Sequence, residues 1–407
     1  MKGNKRRIAL NRTEEGKHVN IFLIFSVTLI LVLLIAGSWI MPDRDMSENE
    51  NRYLTQIPEL SISNVLEGKF ESQLENYLSD QIIGRENWIR IMSNTLKGIG
   101  YKDINGVYLL DEGRLAERVT PVDFKSDRYA NNLDEIVKLK MELSESQSEA
   151  DLKVMLVPSA AYSYRETFDE ATNFDEGEAF DKARLELGDM LIDLADDLGP
   201  YVSDAIPGTD EVKTSGPVDC YYKTDHHWNY NGAEKAADVF REYLLMDEEE
   251  HTPVELTDDF KGTLYSKVLL SERVRDRIEA PEDSLDMNVK VTIGNDEYDS
   301  IYFMDRLENK DKYEVFFGGN YDRVDIVNEE DGAEDKPSLL IVKDSYANSF
   351  VPFILDDFSS ITMVDTRYFR DSVKDVTLRE EFDHVLILYS MTNFAEEKLN
   401  LTERALM

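Results

Sequence analysis

The sequence predicts an α/β domain around a mostly parallel sheet, set behind an N-terminal apolar segment. Three observations predict it: short strand-like runs that alternate with helical periodicity, an unbroken apolar run at 339–342, and an uncharged apolar stretch at 21–41. At 407 residues and 42% hydrophobic content the chain can bury a large core, as one big domain or two ordinary ones.

Lys2, Lys5, Arg6, Arg7, Arg12 and Lys17 precede the apolar stretch, and Pro42, Asp43, Asp45, Glu48 and Glu50 come after it. At about 1.5 Å per residue, 21–41 is long enough to cross a hydrocarbon layer of roughly 30 Å. The basic tail, 1–20, is then cytoplasmic. The stretch exceeds the roughly 7–15 apolar residues of a signal peptide, so a retained single-pass anchor is expected, with Ala36-Gly37-Ser38 as the competing cleavage site. Both readings export the rest of the chain. Residues 42–60 read as a linker ending near Pro58, and 61–407 as an extracytoplasmic domain that begins with a helical segment.

Within 61–99, Phe70, Leu74, Leu78 and Ile82, then Trp88, Met92 and Leu96, recur every four residues, and Gly68 and Gly84 divide the helix into pieces. Asp80 and Arg85 can pair or cap across the Gly84 turn. Residues 106–115 read as a β-hairpin around Asp111-Glu112-Gly113. Helices are predicted at 126–144, 180–198, 231–245 and 346–355. Strands are predicted at 153–158, 201–202, 289–293, 313–317, 324–327, 339–342, 361–364 and 384–389. No repeat of 20 to 50 residues is evident, which argues against solenoids and propellers.

The formal charge of −38, from 45 basic and 83 acidic residues, argues against nucleic acid as a partner, because phosphate binding needs a basic surface. It reads as a solvated exterior that anionic membrane surfaces would repel. A lone cysteine, Cys220, excludes an internal disulfide and a cysteine-rich zinc site, so packing is its expected role. The exported core must then be stable without cross-links.

Two segments carry the chemistry. Ser345 comes after the buried strand 339–342, at the carboxyl end where open α/β sheets place their ligands, and precedes a helix. There its hydroxyl can be exposed while its own N–H and the helix N-terminus favour an oxyanion. The competing reading is a helix cap, with Asp344 as a rival cap and Lys343 unassigned. The second segment is Thr224-Asp225-His226-His227-Trp228-Asn229, which holds two of the five histidines. Asp225 and His227, one residue apart, project to the same side of an extended segment, so the carboxylate can hold one ring nitrogen while the other takes a proton from a serine. Trp228 can restrict the ring, and His226 points away as a structural residue. The motif as a whole can also be a satisfied polar turn. A metal site is not expected: adjacent histidines diverge, and His251 and His384 are remote candidates for further ligands.

Tyr222-Lys223-Thr224-Asp225-His226-His227-Trp228 with Asn231-Gly232-Ala233 resembles the signature of the bacterial DHHW protein family. Shorter blocks are similar as well: Ser47-Glu48-Asn49-Glu50-Asn51-Arg52, residues 70–85, Gly318-Gly319-Asn320, Lys343-Asp344-Ser345-Tyr346 and Asp365-Thr366-Arg367-Tyr368. Together they cover nearly all of the extracytoplasmic chain. The family in turn resembles the SGNH-hydrolase-like proteins of alginate O-acetylation, in which the Asp-x-His segment precedes the serine. The resemblance implies a three-layer α/β/α fold, with Asp225 and His227 as acid and base and Ser345 as nucleophile. It also implies Gly318, Gly319 and Asn320 as candidate oxyanion donors. Two glycines after a strand are more often a turn. Asn393 matches another block of that superfamily only loosely, and Arg367 is a candidate for an anionic sugar or for an ion pair with Asp365. Lys343 stands where those proteins have glycine, which puts the turn geometry in question.

The expected function is a membrane-anchored extracytoplasmic O-acetyltransferase that acts on a cell-surface polysaccharide through an acyl-enzyme, with no cofactor or metal. The resemblance implies a membrane-bound O-acyltransferase as acetyl donor. An acetyl esterase would use the same triad with water as acceptor. A noncatalytic polysaccharide-binding or assembly protein would instead leave Ser345 far from His227.

Overall fold

The computed structural model describes residues 20–34, 36–38, 40–47, 52–120, 124, 126–145, 150–167, 176–199, 202–205, 212–215, 219–270 and 274–403. The basic residues of 1–19 and residues 48–51 of the Ser47–Arg52 block therefore lie outside it. The chain divides into two compact units at Thr95 and Leu96.

In the first unit, Asn20–Ser38 is a helix with mean hydropathy 2.8, and at about 1.5 Å per residue its 19 residues run for about 28 Å. Met46–Ser47 and Arg52–Tyr53 form a short antiparallel pair inside the stretch expected to be a linker. Helices come next at Ile62–Leu66, Lys69–Gln81 and Arg85–Gly98, the last crossing the unit boundary. They break where expected, at Gly68 (φ 70°) and Gly84 (φ 68°). Buried Asp80 accepts the Thr55 N–H at 2.9 Å and lies 3.8 Å from Arg85, the pairing expected across the Gly84 turn.

The second unit is built on an eight-stranded sheet. Its strands are β1 (Asp151–Val157), β2 (Leu191–Asp193), β3 (Val289–Ile293), β4 (Asp296–Tyr298), β5 (Arg323–Asn328), β6 (Ser338–Lys343), β7 (Ser360–Val364) and β8 (His384–Ser390). Their spatial order is β4-β3-β5-β7-β6-β8-β1-β2. Pairings from β7 across to β2 are parallel, while β5, β3 and β4 form an antiparallel wing. The main helices are α1 (Asp127–Glu145), α2 (Gly177–Leu187), α3 (Tyr230–Leu244), α4 (Tyr346–Ile354) and α5 (Met391–Glu396).

The apolar run in β6 shows why the fold has three layers. Alternate strand residues face opposite ways, so Leu339 and Ile341 join a core with Ala236 and Phe240 of α3 and Phe350 of α4. Leu340 and Val342 enter a second core with Leu133 and Ile136 of α1, Phe180 of α2 and Phe394 of α5. A parallel strand needs cover on both faces, which is why this run lacks polar alternation. The parallel register sets Val342 beside Val364 and Ile387, so the chain leaves β6, β7 and β8 along one edge and delivers Ser345, Arg367 and Asn393 there.

Two elements differ from the sequence expectation. The helix expected over 180–198 stops at Leu187, because Gly188 takes φ 55°, and Leu191–Asp193 pairs with β1 as the edge strand β2. The strand expected over 313–317 is a 3-10 turn at Lys312–Val315, capped by the Asp311 carboxylate on the Tyr313 N–H at 3.2 Å. Within that run only Phe316 keeps a strand-like contact, a bridge to Tyr302. An antiparallel ribbon of Pro253–Phe260 with Asp276–Pro281 was not anticipated.

Candidate active site

At the end of β6 the serine turn settles which residue caps α4. The Asp344 carboxylate accepts the Tyr346 N–H at 2.9 Å and so caps the first turn itself. Its other oxygen accepts the Ser390 N–H at 2.8 Å and the Asn393 amide at 2.9 Å, with the side chain wholly buried. Ser345 is thereby released from capping and makes no side-chain cap bond. Its hydroxyl, 8% exposed, lies 2.7 Å from His227 Nε2. No protein acceptor takes the Ser345 N–H among the described residues.

The histidine segment is held as an irregular loop before α3. Asp276 accepts the N–H groups of Lys223 and Thr224 at 2.7 and 2.8 Å, and the Thr224 hydroxyl accepts the Gly262 N–H at 3.1 Å. Tyr221 bridges Trp228, and Asn229 caps α3 by accepting the Gly232 N–H at 3.2 Å. Close approaches fix two glycines: a Cβ on Gly232 would meet the Cys220 carbonyl oxygen at 2.3 Å, and one on Gly262 would meet Asp225 at 2.2 Å.

Both Asp225 oxygens are used. Oδ1 accepts His227 Nδ1–H at 2.6 Å and the His227 N–H at 3.0 Å, while Oδ2 accepts the Thr263 N–H at 2.7 Å and its hydroxyl at 3.0 Å. A carboxylate only accepts, so Nδ1 carries the proton and Nε2 is left to accept from Ser345. Burial opposes the charge on Asp225, yet the two imidazoles and the Thr263 N–H hold its carboxyl well below the usual carboxylate range. For His227, burial and then the neighbouring His226 push the ring down to about 4 against the pull of Asp225. The imidazole is neutral at pH 7, the form that can take a proton.

Tyr313, which no pattern in the sequence marks out, completes the positioning. Its ring stacks on His227 at 4.0 Å and 11°. Its hydroxyl donates to the Ser345 carbonyl at 3.0 Å and shares a 2.9 Å hydrogen bond with Ser349. Trp228, expected to restrict the imidazole, packs on Tyr346 and donates to Ser349 at 2.9 Å. Nor does His226 point away: its ring lies 4.0 Å from that of His227, with Nδ1 2.8 Å from the Thr263 hydroxyl. A one-residue offset reverses side chains only in regular strand, and this loop is not one.

The remaining candidates separate clearly. Phe317, Gly318 and Gly319 take φ of 62°, 74° and 137° in succession. The Gly318 N–H is committed to the Glu314 carbonyl at 3.0 Å, whereas the Gly319 N–H has no protein acceptor among the described residues. Asn320 accepts at Oδ1 from Lys343 and from Asn348, both at 3.2 Å. Arg367 is held by Asp365 through two bonds of 2.8 and 2.6 Å, with Glu397 3.6 Å away, so its guanidinium serves the fold. Asn393 likewise holds Asp344.

Side-chain donors of Asp225, His226 and His227 lie within 4.8 Å of one another, as do those of Glu249, His251 and Asp283. In the first group both His227 nitrogens are already engaged. In the second, Arg241 supplies the cation, 3.1 Å from Glu249 and 3.4 Å from His251. His384 starts β8 beside Leu339, so it is separated from Ser345 by the length of β6, about 20 Å.

Residues 211–364, which include Asp225, His227 and Ser345, match the DHHW protein family. A DHHW family protein from Eubacterium siraeum aligns with TM-score 0.57 and 22% identity over 74% of this chain and 98% of that one. Bacillus cereus PatB1 with a sulfonyl adduct aligns with TM-score 0.56 and 18% identity over 71% of this chain and 95% of its own. A second PatB1 structure gives 0.53 and 16% over 71% and 96%. These likenesses establish a shared SGNH-like fold. No curated protein matches the chain.

Proposed function

We propose, for a chain whose residues 211–364 are of the DHHW family, that it is an extracytoplasmic O-acetyltransferase acting on a cell-surface polysaccharide. The observation that carries the reading is the relay Asp225 Oδ1, His227 Nδ1, His227 Nε2, Ser345 Oγ, with spacings of 2.6 and 2.7 Å at its two hydrogen bonds. His227 takes the Ser345 proton as the serine oxygen attacks an acetyl ester, Asp225 stabilises the imidazolium, and the proton then passes to the leaving oxygen. A sugar hydroxyl, deprotonated in turn by His227, attacks the acetyl-serine and leaves with the acetyl group. The N–H groups of Ser345 and Gly319 and the Asn320 amide are the candidate oxyanion donors. The sulfonyl adduct of PatB1 supports the reading, since a sulfonyl electrophile needs a nucleophile.

The helix Asn20–Ser38 serves as a single-pass anchor that tethers the enzyme to the outer face of the membrane. An exported enzyme has no cytoplasmic supply of activated acetyl, so a membrane-bound O-acyltransferase fits as donor. The test is the full chain in detergent with a chromogenic acetate ester and oligosaccharides, wild type against Ser345→Ala. Acetylated sugar that disappears in the variant supports the reading, and unchanged turnover overturns it. Acetate release by the wild type with no sugar acetylated makes the chain an esterase.

A further inference from the structure

Lys343 is 1% exposed and ends β6 two residues before Ser345. A buried ammonium costs several kcal/mol unless its charge is well compensated, so its presence here calls for a reason. Among the described residues its only hydrogen bonds run to two amide oxygens, Asn348 Oδ1 at 2.6 Å and Asn320 Oδ1 at 3.2 Å. An ammonium donates and never accepts, so both asparagines must turn their oxygens towards it. Asn348 then donates through Nδ2 to the same Asn320 oxygen at 3.2 Å. With two donors on Oδ1, the Asn320 amide has one orientation, and its Nδ2 faces away from Lys343 on an exposed residue. Asn320 directly succeeds Gly319, whose φ of 137° only glycine adopts readily.

We infer that Lys343 is a positioning residue for acyl transfer, locking the Asn320 amide so that Nδ2–H donates to the oxyanion formed at Ser345. The inference rests on the assignment of Ser345 as nucleophile. Charge adds to orientation, because a hydrogen bond from a cation polarises the amide and strengthens its N–H as a donor. The charged groups around the ammonium are Asp365 with its partner Arg367, and Asp344. Burial pushes Lys343 down to about 8 against the pull of Asp365, so the charge is present at pH 7 and lost soon above it.

A double-mutant cycle in the full chain, assayed in detergent with a chromogenic acetate ester, tests this. Lys343→Met should lower kcat about 10- to 100-fold, short of or equal to the loss of a whole oxyanion donor, while KM changes less than about twofold. Asn320→Ala should cost as much or more, and the double variant should be no worse than Asn320→Ala alone. The wild type should also lose kcat above about pH 8, a limb absent from Lys343→Met. Losses that multiply in the double variant, or a Lys343→Met enzyme with wild-type kcat, would overturn the inference. If Lys343→Met does not fold, Asn348→Ala takes its place in the cycle under the same criteria. Ser345→Ala runs alongside: turnover surviving there condemns the nucleophile assignment, whereas its loss with a multiplicative cycle condemns only the role of Lys343.

Discussion

Replacing Asp225 by asparagine keeps size and shape but forces a choice the site cannot satisfy. Each carboxylate oxygen now accepts a backbone N–H, from His227 at 3.0 Å and from Thr263 at 2.7 Å. An amide has one oxygen, so its NH2 must confront one of these donors. Turned towards Thr263, it leaves that N–H unsatisfied, at about 1–3 kcal/mol of stability. Turned towards His227, it also confronts Nδ1–H at 2.6 Å, and the ring escapes by moving its proton to Nε2. Ser345 then faces a donor in place of a base. The first orientation removes the anion that stabilises the imidazolium and the second also sets the wrong tautomer; the expected loss is about 10⁴-fold in kcat, or about 5.4 kcal/mol of transition-state stabilisation. The assay is steady-state hydrolysis of a chromogenic acetate ester by the full chain in detergent, with thermal unfolding measured in parallel. KM should change little. Asp225→Asn retaining more than about a tenth of wild-type kcat would refute the reasoning, because the carboxylate would be neither setting the tautomer nor stabilising the imidazolium.

Other predictions rest on the same geometry. Since the neutral imidazole is the base and His227 sits at about 4, kcat/KM should stay level from neutrality down to about pH 5 and fall only near pH 4; half-loss at the ordinary histidine value of 6.5 would contradict this. At His227 stability has the same sign: the unfolded chain binds this proton before the folded one does, so the urea midpoint of the wild type relative to His227→Gln should fall as pH drops from 6.5 towards 4, a comparison that cancels the opposing Glu397 and Asp357, whose carboxyls burial raises. Gly262→Ala places a Cβ 2.2 Å from Asp225 and should abolish activity along with a lowered melting temperature; wild-type kcat in this variant would mean Asp225 can move freely. Tyr313→Phe keeps the ring on His227 but removes its hydroxyl from Ser345 and Ser349, which should cost about 1 kcal/mol in urea unfolding. Stability equal to wild type would show the hydroxyl to be replaceable by solvent.

Much of this site was legible because it is local in sequence. The two-residue spacing of Asp225 and His227 and the apolar run into Ser345 are patterns of covalent geometry and burial, and the sheet edge supplies their meeting point. The contacts that reach the site from elsewhere were not legible. Tyr313 lies in a run whose β-branched and aromatic residues read as strand, yet the Asp311 cap and the positive φ of Phe317 turn it into a 3-10 segment aimed at His227. Thr263 and Asp276 carry no local signal, since their roles arise from folding an unanticipated ribbon against the histidine loop. A regular strand would turn His226 away from His227, whereas the irregular loop sets the two rings 4.0 Å apart. For Arg367 the sequence leaves an anionic sugar and an ion pair with Asp365 as alternatives, and the two hydrogen bonds to Asp365 form the second.

The central claim is that Ser345 becomes acylated through His227. Acid-quenched mixtures of the full chain with an excess of chromogenic acetate ester, digested and read by mass spectrometry, test it directly. One acetyl group on the peptide containing Ser345, absent from Ser345→Ala and greatly reduced in His227→Ala, is the predicted result. Turnover of the ester with no acetyl at Ser345, or with the acetyl at another residue, would contradict it.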